Sequence, residues 1–357
     1  MKQLKDIYNE VFVSSLGESI IKQFPQFEHE QLMQLTFKED WPELALKQRM
    51  RRITEALYET LPKDYLKALA ILHQVEPSIK EGLRGIVFPD YVSKYGLANW
   101  ESSLQALETF TQYSTSEFAV RPFLLTDPER MLQQFMRWSR HNNEHVRRLA
   151  SEGARPRLPW GLSIPLLKQN PSLVLPILEN LKQDDSIYVR KSVANNLNDI
   201  SKTHPELVRT IAKQWFGKHP YTDWIVKHAC RTLLKQGDSD VLSIFGYEDA
   251  ETIHIKTLSS TNEVSIGESL PFSFSIQSEQ EQKIRIEYAI DYVKARGNRN
   301  RKVFKISETS IRKDEIKHYT RTHSFKDLST RKHYKGIHSL MILINGTEKA
   351  SFSFSVM

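Results

Sequence analysis

The hydrophobic period of this chain changes once, near residue 250, and that change limits it to two kinds of structure in series. From residue 1 to about 248, apolar residues recur at spacings of three and four, the period of amphipathic helices. From 251 to 357 the texture is one of short alternating segments rich in β-branched and aromatic residues: TIHIKTLSS, LPFSFSIQS, QKIRIEYAIDYVK, KVFKISETSI, IKHYTRTHSF, HSLMILING and KASFSFSVM. Seven such strands in roughly a hundred residues predict an immunoglobulin-like β-sandwich. The boundary falls in QGDSDVLSIFGYEDAET, so the expected domains are 1–248, helical, and 251–357, a sandwich.

The helical part repeats itself. NEHVRRLASEG, SIYVRKSVANN and DWIVKHACRTL each place an aliphatic residue before one or two bases and then small or apolar residues. Val146 and Val189 are 43 residues apart, Val189 and Ile225 36. Two-helix units at that spacing are the signature of HEAT-type arrays, which predicts a right-handed α-α superhelix. PSLVLPILENLKQDD and HPELVRTIAKQWFG supply outer helices, each opened by a proline that suits a first helical turn. The inner helices of such arrays line the concave face, so Arg148, Arg190, Lys191, Lys227 and Arg231 are expected along one groove. The alternative is a set of bases on solvated helix faces.

Fifty Lys and Arg against 43 Asp and Glu give a net charge of +7, which favours polyanionic partners. The surplus is uneven: residues 294–335 carry fourteen bases and four acids. That stretch is either a solvated basic face or a phosphate-contacting surface. KARGNRNRK, residues 294–302, is the expected contact loop, with Gly297, Asn298 and Asn300 in a turn and Arg296, Arg299 and Arg301 reaching phosphates. The sandwich is expected to close over DNA opposite the helical groove. Other classes are excluded. The single cysteine, Cys230 in HACRTLL, forms no internal disulfide and no zinc site alone, and reads as a small buried hydrophobe. No apolar run is long enough to span a membrane, and the N-terminus lacks the apolar stretch of a secretory signal. A cytoplasmic, nucleoid-associated monomer needing no cofactor, metal or protein partner is expected.

No phosphate-cradling glycine loop, HExxH, CxxC or GxSxG is present, so the chemistry must lie with carboxylates beside bases and aromatics. The densest stretch is HVRRLASEGARPRLPWG. A helix through Val146, Leu149 and Ala150 is predicted to end at Gly153 in a left-handed cap. Glu152 then sits at a helix C-terminus, where the dipole disfavours an anion. It is either tolerated at the surface or kept for function. Pro156 and Pro159 stiffen a loop that presents Arg155, Arg157 and Trp160 to a phosphate backbone and an exposed base. In VRKSVANNLNDIS, Asn195 and Asp199 share one helical face. Asp199 is either solvent-facing or functional. In SEFAVRPFL, Ser116 is placed as a helix cap with Glu117 in the first turn, a position where a carboxylate is welcome on structural grounds alone.

Taken together, HVRRLASEGARPRLPWG, SEFAVRPF and YVRKSVANNLNDISK make the chain resemble the AlkC branch of the DNA alkylation repair glycosylases, over its whole length and including the C-terminal sandwich that the sibling AlkD branch lacks. The resemblance implies HEAT-like repeats cradling duplex DNA. It also implies monofunctional excision of cationic methylated bases, mainly N3-methylcytosine and N1-methyladenine, without flipping the base. By the same resemblance Glu152 and Asp199 would be the principal catalytic carboxylates, with Glu117 supporting them. Trp160 would pack at the lesion sugar, and Arg148 and Arg155 would hold phosphates. The runner-up is a non-enzymatic HEAT-repeat scaffold that binds protein or nucleic acid.

Overall fold

A computed structural model describes residues 3–79, 82–328 and 331–357. Helices occupy the chain as far as Ser239–Ile244 and the first strand opens at Ile253, as the change of period predicts. Packing divides the chain differently, into one compact unit of Met1–Thr203 with Gly217–Ala229 and a second of His204–Phe216 with Cys230–Met357.

The first unit is built of paired helices. The helix Pro128–Trp138 begins at a proline and is capped by Asp127, which accepts from the Arg130 amide. Asn143 caps Glu144–Gly153, and Ser186 caps Ile187–Ile200. Between these two lies the outer helix Leu175–Leu181, which follows a 3₁₀ turn opened by Pro171. Glu144–Gly153, Ile187–Ile200 and Pro220–Ala229 pack side by side. They bury Val146, Leu149 and Ala150, then Val189, Val193 and Leu197, then Ile225, Val226 and Ala229.

The repeated bases divide by position. Arg147 Nη1 donates to the carbonyls of His141 and Asn142, six and five residues back. Arg190 Nη1 does the same to Asp184 and Asp185. Each closes the turn that feeds its own helix. Arg190 is buried and its guanidinium lies 3.8 Å over the Tyr221 ring, so it does not project into a groove as the sequence suggested. The bases one position later, Lys191 and Lys227, are exposed.

In the second unit the strands are β1 (Ile253–Ser260), β2 (Glu263–Val264), β3 (Ser269–Ser278), β4 (Gln282–Val293), β5 (Arg299–Ile311), β6 (Ile316–Ser324), β7 (Gly336–Ile344) and β8 (Thr347–Val356). One sheet has the order β1-β3-β6, the other β2-β8-β7-β4-β5. The short β2, absent from the sequence reading, pairs parallel with β8; the other pairs are antiparallel. Asn345 and Gly346, both at positive φ, form the two-residue β7–β8 turn, the dipeptide that matches the twist of a hairpin. The inner faces bury Phe272, Phe274, Ile286, Ile290, Leu340 and Phe354 in one core. The helices Pro205–Trp215, Arg231–Lys235 and Ser239–Ile244 group with this sandwich. Lys283 Nζ donates to the Phe245 carbonyl, Asn345 Nδ2 donates to the Glu248 carbonyl, and Gly237 lies so close to Gly346 that a Cβ on Gly346 would stand 2.5 Å from its Cα.

Candidate functional site

Glu152 lies in the last turn of the helix Glu144–Gly153, as predicted, but it is buried, only 5% exposed. An anion buried at the negative end of a helix requires compensation, and the neighbouring side chains supply it. Oε1 takes Arg155 Nη1 at 2.5 Å and lies 3.7 Å from Arg148 Nη2. Oε2 accepts from the Ser192 hydroxyl at 2.6 Å. Arg155 also bridges to Asp199, Nε to Oδ2 at 2.8 Å, and Asp199 Oδ1 meets Lys202 Nζ at 2.8 Å. On the other side Arg148 Nη2 pairs with Glu117 Oε2 at 2.6 Å, its Nη1 donates to the Thr115 hydroxyl, and its guanidinium lies 5.0 Å over the Tyr188 ring.

The three carboxylates singled out in the sequence therefore belong to one ion-pair chain: Glu117–Arg148–Glu152–Arg155–Asp199–Lys202. Three anions face three cations. Asp199, 2% exposed, is a buried group and not a solvent-facing one. Arg148 and Arg155 are not presented to solvent either. Both are committed to carboxylates, and Arg155 is 7% exposed. Of the three side chains expected to project from the stiffened loop, Arg157 and Trp160 are exposed and Arg155 is not.

Two local expectations are corrected. Gly153 is the last helical residue and does not adopt a left-handed conformation; the cap is Ala154 at φ −86°. Glycine is needed there for room, since a Cβ would stand 2.7 Å from Val120 Cγ2 and 3.0 Å from the Phe135 ring. Ser116 caps no helix. Its hydroxyl donates to the Leu107 carbonyl, residues 117–119 form a turn, and the helix begins at Val120. Glu117 is thus held by Thr115 and Arg148, and not by a helix N-terminus.

Under the chain lies a residue the sequence reading passed over. Arg121, in SEFAVRPF, is wholly buried and donates to the carbonyls of Gly153, Arg155 and Leu162. It satisfies carbonyls at and beyond the helix C-terminus and so fixes the loop that carries Arg155 and Trp160. Burial, and next the nearby Arg155, push its guanidinium down to about 10.

Trp160 is 64% exposed and stands at φ +63°. Pro159 precedes it, and the Gly161 amide donates to the Leu158 carbonyl, which makes Leu158–Gly161 a β-turn whose third residue would ordinarily be glycine or asparagine. An indole held there carries a local conformational cost, the kind that concentrates at functional positions. Lys47 Nζ donates to the Trp160 carbonyl across 113 residues of sequence. Trp160, Glu117, Glu152 and Arg155 all border a cleft of about 240 Å³. The rest of its wall is largely apolar, formed by Leu46, Met50, Leu83, Ile86, Phe118, Leu158 and Pro159, with Tyr8, Lys47 and Thr115 as further polar members. Asp199 does not line the cleft and reaches it through Arg155.

The basic residues of the second unit are partly engaged. Arg301 pairs with Asp291 and Glu348, and Arg299 donates to Ser339 and to the Ile337 carbonyl. Arg296 is exposed on the β4–β5 turn, where Gly297 takes φ +78°. Cys230 is buried, and its burial pushes the thiol up to about 12. Among the described residues no cluster of His, Cys, Asp and Glu is arranged to hold a metal, and no helix is long and apolar enough to cross a membrane.

The profile of a family described as "DNA alkylation repair enzyme" matches residues 31–233, more than half of the chain. The chain belongs to that family. A second profile, described as "Uncharacterised protein YhaZ, C-terminal Ig-like domain", matches residues 254–357 and so covers the sandwich. YhaZ of Bacillus subtilis (strain 168) is 63% identical over 357 residues, the full length of both chains. The solved structure of the Pseudomonas fluorescens alkylpurine DNA glycosylase AlkC, bound to DNA containing an abasic site analog, superposes with a TM-score of 0.96 at 39% identity, covering 100% of each chain.

Proposed function

We propose that this protein is a monofunctional DNA glycosylase that hydrolyses the N-glycosidic bond of cationic alkylated bases, N3-methylcytosine and N1-methyladenine, in duplex DNA. The observation that carries the reading is Glu152, a buried carboxylate held by Arg155, Arg148 and Ser192 on the wall of a cleft rimmed by an exposed tryptophan. Full-length likeness to a DNA glycosylase supports it.

Breaking the bond builds positive charge on the deoxyribose, and a fixed carboxylate stabilises that oxocarbenium-like state. An N-methylated base that starts cationic departs neutral, so no general acid is required. Water adds at C1′ and its proton passes to a carboxylate. Glu152 is the principal stabiliser, Asp199 acts with it through the shared Arg155, and Glu117 sets Arg148. Trp160 packs on the lesion sugar. The two arginines serve the carboxylates. Backbone phosphates fall instead to exposed bases: Arg157, Lys191, Lys202 and Lys227 on this unit, and Arg296, Arg299 and Arg301 on the sandwich.

The base is read without flipping. A flipped base is normally held by hydrogen bonds to its Watson–Crick edge. The polar side chains that line the cleft are engaged within the protein: Tyr8 with the Leu83 carbonyl, Lys47 with the Trp160 carbonyl, Thr115 with Glu117, Glu117 with Arg148, and Glu152 with Arg155. The test is incubation with duplex DNA carrying single N3-methylcytosine, N1-methyladenine or a neutral lesion, followed by alkaline cleavage of abasic sites. Cleavage confined to the cationic lesions is the expected result. Binding without cleavage on every substrate would return the chain to the class of helical-repeat scaffolds.

A further inference from the structure

We infer that Ser192 is a positioning residue for base excision: its hydroxyl fixes the catalytic rotamer of Glu152. The inference rests on the role given to Glu152 above. The helical repeat marks this position as unusual. With the 43-residue offset of Val146 and Val189, Ser192 corresponds to Leu149, a fully buried core residue. A hydroxyl has replaced core hydrocarbon at a site that is 2% exposed, and a buried hydroxyl without a partner is unfavourable. Its partner is Glu152 Oε2 at 2.6 Å, the short distance of a hydrogen bond to an anion.

The two oxygens of Glu152 are therefore held from two directions. Arg155, with Arg148 behind it, takes Oε1, and Ser192 takes Oε2. An ion pair alone leaves the carboxylate free to rotate about it; a second donor on the other oxygen removes that freedom. Ser192 also stands seven residues, two helical turns, before Asp199. One rigid helix thus carries Asp199 and the donor that locks Glu152, which fixes the separation of the two carboxylates. Glu152 is faced by Arg155, Arg148 and Ser192, with Arg121 and Tyr188 near enough to feel its charge, Glu117 beyond Arg148 and Asp199 beyond Arg155.

The experiment compares the full-length protein with Ser192→Ala, Ser192→Thr and Glu152→Gln and the double variant S192A/E152Q. For Ser192→Ala the single-turnover excision rate at saturating DNA falls about tenfold, while DNA affinity is unchanged. Ser192→Thr, which keeps the hydroxyl, restores the rate. A wild-type rate in Ser192→Ala, or equal losses in the alanine and threonine variants, overturns the inference. Thermal unfolding provides a readout independent of activity: the destabilisation by Ser192→Ala shrinks in the E152Q background if the two side chains are coupled. Coupled stabilities in a protein that cleaves no substrate would sink the glycosylase reading while leaving the hydrogen bond in place. Additive stabilities would sink the positioning role itself.

Discussion

Replacing Glu152 with glutamine changes charge and almost no shape, so the structure predicts its consequences separately for rate and for stability. A full charge about 5 Å from a developing sugar cation, at an effective dielectric of about 20, contributes roughly 3 kcal/mol. Losing that stabilisation slows the chemical step by about two orders of magnitude, the range seen when one preorganised electrostatic group is removed. The fold loses less. Arg155 keeps Asp199 and Arg148 keeps Glu117, so neither guanidinium is stranded, and the Ser192 hydrogen bond weakens because its acceptor is no longer an anion. A cost of about 1–3 kcal/mol is expected, below that of an ion left wholly unpaired in the interior. The assay is single-turnover excision of N3-methylcytosine from a duplex at enzyme excess, with DNA affinity by anisotropy and thermal unfolding on the same preparation. The expected result is a slow enzyme with near-parental affinity and a melting point lower by a few degrees. A rate within about threefold of the parent, in a folded protein that still binds, would refute the role given to Glu152.

Asp199→Asn leaves Lys202 without its carboxylate and Arg155 with Glu152 alone, so excision falls in the same direction; combined with Glu152→Gln the loss is less than the product of the two, because both act through Arg155. Gly153→Ala puts a methyl group 2.7 Å from Val120 Cγ2 and costs about 1–3 kcal/mol despite alanine's better helix propensity, read as a drop in melting temperature. Arg296→Ala, Arg299→Ala and Arg301→Ala together weaken DNA binding and flatten its salt dependence by about 0.9 in log–log slope for each phosphate no longer neutralised; an unchanged slope means that the hairpin does not touch the backbone. Within the sandwich, burial pushes the His323 imidazole down to about 4, with Arg331 and His333 acting in the same direction, and Tyr288 and Tyr292 flank the ring. His323 is neutral in both folded and unfolded chains above about pH 6.5, so its contribution is whole there. It is lost as pH falls from about 6.5 to about 4, where the unfolded chain alone takes the proton, a loss of up to about 3 kcal/mol. His323→Phe should flatten that part of the stability–pH curve in denaturant titrations.

The elements were legible because each is specified locally. Period and proline at the first helical turn place the inner and outer helices, and alternation places seven of the strands. The two-residue β2 carries too few residues to show a period. The site was legible as residues but not as an arrangement. Arg155 and Asp199 are 44 residues apart and Lys47 and Trp160 113, and no local signal reports such pairings. Arg148, Arg155 and Arg190 looked like groove-lining bases because composition shows charge and not partners; the structure commits all three within the protein. Gly153 illustrates the same limit. A glycine after a helical run reads as a left-handed cap, whereas here it answers to Val120 and Phe135, which only the packing brings near.

The pairing of every carboxylate also bears on how an acidic site can sit on a DNA-binding protein at all. Unpaired, Glu117, Glu152 and Asp199 would repel the phosphates on either side of a lesion and weaken binding. Matched by Arg148, Arg155 and Lys202, the group is close to neutral at the distance of the backbone, yet at shorter range it remains a patterned surface of fixed dipoles. Glu152 and Glu117 stand on the cleft wall, whereas Lys202, the most exposed of the three cations, is attached to Asp199 and does not line the cleft. Arg155 and Lys47 stand on the same wall, so a cationic lesion is attracted where it approaches Glu152 and Glu117 and not by the wall as a whole. Because the pairs are buried and held by Ser192, Thr115 and Arg121, they need no reorganisation when charge develops on the sugar, which is the condition under which electrostatic stabilisation is most effective. The same wall gives no comparable help to a neutral base, which carries no charge for the carboxylates to attract and departs as a poorer leaving group. Selectivity for cationic lesions can thus arise from the wall's electrostatics and the lesion's own lability, with no pocket shaped to the base.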